Sequence, residues 1–337
     1  MNKIKVLSKN DIEKIINLKL AIKAVEEAYK QKSQGKGNVW PLVFYEYEHN
    51  VFDLDIRSGN LLGSDVYGLK LISYNENNPQ YGLEKVNATA LVCNDKTGEP
   101  LAILNASPIT SYRTGAAAAI GIKYLARKNS KNLLIVGTGN VAKYSTAAAL
   151  LLMPSIENVY LYNARRTIGN GELLAFKDEV KHLLEKSNDA LNATFNITND
   201  IAKITSISDI VITATPSDTA IIDESWVKPG THFSCMGAGM YGRQEIDERL
   251  FKKARVFADD KDQCLEIGEA QCAYKKQIIN TFDAEIGDVI LNKVNGRISD
   301  YDITIFDSTG LFLQDLATSI ELIKEANKNN VGIEIEL

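Results

Sequence analysis

The sequence predicts an α/β protein in which a doubly wound parallel sheet is joined to a second, discontinuous α+β unit. Three observations lead there. Leu133 to Val136 is an unbroken apolar run, as suits a parallel strand covered on both faces, and it enters a glycine turn and then a helix. After it, strand and helix patterns alternate as far as Ile303-Thr304-Ile305-Phe306. Before it, strands follow one another without helices, and the chain ends on a long amphipathic helix that would return to pack on that β-rich block.

Taken in order, Ser8-Lys9-Asn10-Asp11 has the form of a capping box and opens a short helix. A second helix starts near Leu18, places Leu18, Ile22, Val25 and Tyr29 on one stripe, and stops near Gly35. Strands are expected at 39–48, 51–58, 66–74, 88–94 and 100–105, separated by polar turns such as Glu48-His49-Asn50 and Asp95-Lys96-Thr97-Gly98. Ser107 as cap and Pro108 at the first helical position start a helix that runs to about Arg127. Its small face, Gly115 to Ala119, would let another backbone or a cofactor approach.

Further strands are read around Val136, Leu161 and Phe195 and at 209–215, 231–236 and 254–258. Helices are read from about Val141 to Leu152 and at 172–185 and 285–294, with Lys186-Ser187-Asn188-Asp189 as a surface loop. The last strand stops at Asp307-Ser308-Thr309-Gly310. Leu313, Leu316, Ile320 and Ile323 then mark one face of the final helix.

Composition excludes several functions. With 45% hydrophobic and 24% charged residues the chain is an ordinary globular one, and its net charge of −5 offers no general attraction to nucleic acid or an anionic membrane. Met1 to Val6 lacks an apolar signal core, and no run approaches the ~20 apolar residues of a membrane span, so a cytoplasmic protein is expected. Cys93, Cys235, Cys264 and Cys272 show no C-x-x-C spacing, and His49, His182 and His232 fall in unrelated segments. Neither a disulfide framework nor a metal site is expected.

The glycine turn points instead to a nucleotide. In Gly137-Thr138-Gly139-Asn140-Val141-Ala142 the glycines supply a tight turn and bare backbone, and the small Ala142 permits close helix packing. The helix that follows, from about Val141, aims its unpaired N–H groups at whatever sits in the turn, which favours a phosphate. A glycine turn without a ligand is the alternative. The next strand, Asn158 to Tyr162, ends at Asn163, where a Rossmann-type fold would place the residue that meets the adenosine ribose. An acid there would accept from the 2′-hydroxyl of NAD. This chain has Asn163-Ala164-Arg165-Arg166, so NADP(H) is preferred and NAD(H) possible, unless the two arginines are simply solvated.

Gly68-Leu69-Lys70, Ser111-Tyr112-Arg113-Thr114-Gly115, Val136-Gly137-Thr138-Gly139, Trp226-Val227-Lys228-Pro229-Gly230, Met236-Gly237-Ala238, Glu285-Ile286-Gly287-Asp288 and Ile305-Phe306-Asp307-Ser308-Thr309-Gly310 occur in that order. Together they resemble the ornithine cyclodeaminase and mu-crystallin family, which includes archaeal-type alanine dehydrogenases and ketimine reductases. The resemblance implies a homodimer paired through the β-rich domain, residues 1–115 with 315–337, which also binds substrate. It implies a dinucleotide-binding Rossmann domain at 116–314 and an active site between the two. Lys70 and Arg113 would face the amino or keto acid, and Thr114 the cofactor phosphates. Thr215, Met236 and Ser308 would line the cofactor, and Asp307 would act near the nicotinamide ring.

Those residue types suit the roles. Arg113 offers a planar fork for a carboxylate, and Lys70 is a compact donor that can polarise a keto or imino group. Two departures stand out. The family's cyclodeaminases carry an aspartate where this chain has Gly239, and a glutamate near the position of Arg57. Arg57 would either hold a second substrate carboxylate or pair with Asp53 or Asp55. The resulting expectation is an NAD(P)H-dependent oxidoreductase interconverting an imino or keto acid with an amino acid or N-substituted amino acid. The rivals are an ornithine cyclodeaminase-type ammonia lyase and an NADPH-binding, mu-crystallin-like protein with little turnover.

Overall fold

A computed structural model describes residues 3–48 and 51–336, so the turn expected at His49-Asn50 and the residues Met1-Asn2 lie outside the described residues. The chain forms two compact units, Met1–Arg113 with Leu311–Leu337, and Thr114–Gly310. Its first elements are β1 (Lys3–Leu7), α1 (Lys9–Ile15), α2 (Leu18–Ser33), β2 (Gly37–Val39), β3 (Val43–Glu48), β4 (Phe52–Leu61), β5 (Val66–Asn75), β6 (Val86–Asn94), β7 (Pro100–Asn105) and α3 (Ala106–Leu125). There follow β8 (Asn132–Val136), α4 (Asn140–Leu152), β9 (Asn158–Tyr162), α5 (Asn170–Lys186), β10 (Thr194–Ile197), α6 (Ile201–Ile207), β11 (Ile210–Thr213), β12 (His232–Cys235) and β13 (Ala254–Ala258). The chain continues through α7 (Lys261–Ile267), α8 (Gln271–Lys275), β14 (Ala284–Glu285), α9 (Ile286–Ile290), β15 (Ile303–Asp307), α10 (Phe312–Asn329) and β16 (Ile333–Glu336).

The first unit is a mixed sheet in the order β16-β1-β7-β6-β5-β4-β2, with β3 also on β4. Its long β4–β5–β6 ribbon is antiparallel and sets Arg57 opposite Lys70 and Lys70 opposite Ala90, so these three share one face. α2 buries Leu18, Ile22, Val25 and Tyr29 as its 3.6-residue spacing requires, and α1 has the Ser8–Asp11 capping box. α10 is buried on every side from Phe312 to Ser319. It lies close over the sheet because Gly59 and Gly68 face each other on β4 and β5; a Cβ on either would stand about 3.1 Å from Leu313 Cδ2 or 3.3 Å from Phe312 Cζ.

The second unit is a parallel, doubly wound sheet in the order β10-β9-β8-β11-β12-β15-β13-β14. β8 is central, with its chain neighbour β9 on one side and β11 on the other, so the strand order reverses beside it. Leu133 to Val136 are fully buried. The small face of α3 admits another backbone, since a Cβ at Gly115 would lie 2.6 Å from the carbonyl of Tyr144 in α4.

Local signals misplaced several boundaries. α3 begins at Ala106, not after Ser107: the Asn105 side chain accepts from Ser107 N at 3.1 Å, while Ser107 Oγ accepts from Ala88 N at 3.2 Å on the neighbouring strand. The helix expected at 285–294 is the single turn α9, ended by Asn292 in the left-handed region at φ 57°. The strand expected at 39–48 is interrupted, with β2 and β3 both pairing with β4. Replacing Gly115 by Ala should lower stability by about 1–3 kcal/mol, because the backbone of α4 must retreat. Urea unfolding that matched wild type would refute this contact.

Candidate active site

The crevice of the second unit lies where strand order reverses, the usual ligand site of an open α/β sheet. Gly137 has φ +117°, a conformation other residues rarely adopt, and a Cβ there would come within 2.5 Å of the Ala214 carbonyl oxygen. Around Gly139 nothing lies within 4 Å of where a Cβ would be. Gly139 is also the N-cap of the 13-residue α4 and offers no side-chain cap, so the amides at Asn140 and Val141 are not taken by one. A bare turn, an open approach and uncapped helix amides are what a diphosphate needs, and these residues fit a dinucleotide.

At the end of β9, Asn163 Nδ2 donates to Thr138 Oγ1 at 3.0 Å, and Asn163 Oδ1 accepts from Arg165 N at 3.0 Å. Arg165 is exposed. Arg166 makes a two-pronged pair with Glu172, Nη2 to Oε1 being 2.7 Å. That pairing, with a contribution from the Thr138 hydroxyl, holds the Glu172 carboxyl below its ordinary range. The strand that leads to Asn163 has no acid there; the first turn of α5 supplies one.

Along the carboxyl ends of β11, β12 and β15, buried acids hold the connecting loops. Glu245 Oε1 accepts from Thr215 N at 2.6 Å and Thr215 Oγ1 at 2.7 Å, and Glu245 Oε2 accepts from Thr213 Oγ1 at 2.7 Å and Gly237 N at 2.9 Å. Met236 N donates to Thr213 O. Ser308 Oγ donates to Asp259 at 2.9 Å. Asp307 is fully buried, and its two oxygens accept from Glu269 N at 3.1 Å and Ala270 N at 2.9 Å. Burial pushes its carboxyl up to about 8 against the pull of those amides. Its carboxylate is therefore occupied by backbone.

In the first unit, Lys70 and Arg113 meet. Lys70 is 1% exposed; its Nζ donates to Asp315 Oδ1 at 2.8 Å and to Thr110 Oγ1 at 3.2 Å. Arg113 Nε stands 3.6 Å from Asp315 Oδ2, and its Nη1 donates to Gln314, whose amide in turn donates to Tyr29 Oη at 2.8 Å. One carboxylate thus faces two cations. Arg113 Nε and Asp315 Oδ2 have no hydrogen-bond partner among the described residues. Burial pushes the Lys70 ammonium down to about 8; Asp315 opposes the shift, while Arg113 and Arg57 add to it. Arg57 lies directly across from Lys70 and pairs through Nε with Asp55 at 3.3 Å. In sequence Gln314 and Asp315 are only two polar residues between the stripe positions Leu313 and Leu316, with nothing local to mark them.

The Ornithine cyclodeaminase/mu-crystallin family profile matches residues 2–330. An alanine dehydrogenase of Archaeoglobus fulgidus is 35% identical over 98% of this chain and 98% of its own. Among solved structures, an archaeal alanine dehydrogenase dimer with bound NAD is 33% identical, with TM-score 0.86 over all of both chains. The Δ1-pyrroline-2-carboxylate reductase of Thermococcus litoralis, in complex with NADH and L-proline, is 28% identical, with TM-score 0.88 over 98% of this chain and all of that one. On profile, sequence and fold alike, this chain belongs to the ornithine cyclodeaminase/mu-crystallin family.

Proposed function

We propose that this protein is a nicotinamide-dependent oxidoreductase that interconverts an imino or keto acid with the corresponding amino acid or N-substituted amino acid. The observation that carries the reading is the buried Lys70–Asp315–Arg113 group, in a chain that also holds a phosphate-shaped glycine turn. Relatives described as alanine dehydrogenase and pyrroline-2-carboxylate reductase support it. Arg113 anchors the α-carboxylate, with Arg57 on the side of the substrate chain. Lys70 donates a proton to the imino nitrogen as charge develops there, a keto acid entering the reaction only after condensing with ammonia or an amine and losing its oxygen as water, and Asp315 holds that ammonium in place. The cofactor, when bound, supplies or accepts the hydride. Thr114, Thr138, Thr215, Met236 and Ser308 line its site, while Asp307 is a positioning residue for the 268–270 turn.

We propose NAD(H) ahead of NADP(H). On sequence alone Arg165 and Arg166 favour a 2′-phosphate because Asn163 is not an acid. In the fold Glu172 brings a carboxylate to that place and ties up Arg166. It can accept from the ribose 2′-hydroxyl and repel a phosphate. A lyase reading lacks support: Gly239 replaces the acid expected to handle an ornithine amine, and Arg57 would repel that amine.

A second copy of the chain is the proposed partner. The sheet face opposite Lys70 carries Val43, Tyr45, Leu69 and Leu71, all between 37% and 57% exposed, and a related alanine dehydrogenase is a dimer. No described helix is long and apolar enough to cross a membrane. The described cysteines are free thiols, in keeping with a cytoplasmic location.

Arg113→Ala should lower kcat/KM by roughly 30-fold or more, the effect of about 2–5 kcal/mol from losing a buried charged anchor, with NADH affinity within about twofold of wild type. Unchanged turnover would remove Arg113 from the substrate site. Reduction requires charged Lys70, so its rate should fall as pH rises through about 8 while oxidation rises. Because Asp315 holds the Lys70 value up, Asp315→Asn should move that falling limb to lower pH; a limb that stays put would acquit the pair. Glu172→Gln should shift the NADPH-to-NADH affinity ratio about tenfold toward NADPH in a fluorescence titration, and no shift would show that Glu172 does not set the choice.

A further inference from the structure

Two buried glutamates, Glu245 and Glu269, lie next to each other beneath the crevice and are used in opposite ways. Glu245 is 0% exposed, and each of its oxygens accepts one backbone N–H, from Thr215 and from Gly237. Glu269 is 1% exposed, and a single oxygen, Oε1, accepts both of its donors, Glu245 N and Ile246 N, each at 2.7 Å. Glu269 Oε2 has no hydrogen-bond partner among the described residues. A proton on either oxygen of Glu245 would face a backbone N–H that cannot turn away, whereas Oε2 of Glu269 faces no such donor. Two carboxylates so close in a dry interior cannot both be charged without large cost.

We propose that Glu245 is an ionised positioning residue for the dinucleotide crevice, and that Glu269 carries the proton of the pair. Glu245 is tied to Thr215, next to Ala214, whose carbonyl forms the wall against Gly137. It also ties down Gly237 at the end of β12, so it sets how far the loops after two adjacent strands stand apart. Facing the pair are the buried thiol of Cys235 and the carboxyl of Asp307, whose Oδ1 is bonded to Glu269 N. Burial and the neighbouring Glu245 push the Glu269 carboxyl well above its ordinary range. The positioning role rests on reading the glycine turn as the nucleotide site.

Glutamine separates the two residues. At position 245 its NH2 group must face one of the two backbone N–H groups, whichever way the amide turns. At position 269 the NH2 can take the place of Oε2, leaving the oxygen for both donors. In the full-length protein, Glu245→Gln should weaken NADH binding about tenfold or more by fluorescence titration and raise KM for NADH more than it lowers kcat. Glu269→Gln should bind NADH as wild type does.

Glu269→Gln should also change the pH dependence of stability. A carboxyl whose folded pKa is raised contributes stability present below the unfolded value and lost as pH rises toward the folded one. The urea midpoint of Glu269→Gln should therefore fall less than that of wild type between about pH 5 and 8. If Glu245→Gln does not fold, the isosteric Thr213→Val, which removes one donor from Oε2, should weaken NADH binding several-fold. Wild-type affinity in the position-245 variant, or in Thr213→Val where that serves, would overturn the positioning role. Equal loss of binding or an unaltered pH slope in Glu269→Gln would overturn the proton assignment. A wild-type protein that bound neither NADH nor NADPH would instead refute the nucleotide reading, and the pH comparison would still decide where the proton resides.

Discussion

Lys70 and Arg113 share one buried carboxylate, and much of the first unit follows from the need to bring that carboxylate to them. Two cations beside each other in a dry interior repel strongly, and a buried charge without a partner destabilises a fold by several kcal/mol. Asp315 answers both, yet it lies 245 positions beyond Lys70. The chain must build the whole second unit and then come back. Its return as α10, buried on every side through its first two turns, places Gln314 and Asp315 inward together. Gln314 extends the polar chain from Arg113 to Tyr29 on α2, so the interior donors there form a connected set. The paired glycines of β4 and β5 leave room for the helix to approach at all.

The second unit solves a different problem with the same chemistry. Loops that follow parallel strands have backbone amides with no ladder partner, and an interior amide must be satisfied. Here buried carboxylates serve that purpose. Asp259 accepts from the amides of Asp260, Thr309 and Gly310, Asp307 from Glu269 and Ala270, and Glu245 from Thr215 and Gly237. The carboxyl edge of the sheet is thereby held by short, directional contacts. Such support suits a surface that must place a cofactor to within a fraction of an ångström.

Much of this architecture was legible because it depends on local pattern. The capping box at Ser8, the stripe on α2, the apolar run of β8 and the alternation after it are each set by neighbouring residues. What the sequence concealed depends on distant ones. Ser107 has the chemistry of a helix cap, but its hydroxyl is claimed by Ala88 from another strand, so Asn105 takes over. The fold puts Lys70, Arg113 and Arg57 in one cluster, yet Asp315, which reconciles them, reads in sequence as a polar position on a helix. Conversely, Asp307 looked available in its motif and is enclosed by amides.

Glu172 shows why proximity in sequence misleads about charge. A ribose-binding acid is sought at the end of the second strand, since the fold there leaves little choice of position. Asn163 is polar but uncharged, and the two arginines after it then look like an anion site. α5, however, starts close by and turns its first acidic residue back toward that loop, where a helix N-terminus already favours negative charge. The carboxylate reaches the loop from a different element, and a guanidinium that seemed available becomes its counter-ion. Charge at such a site is a property of everything that converges on it, and a count along one strand samples only part of that.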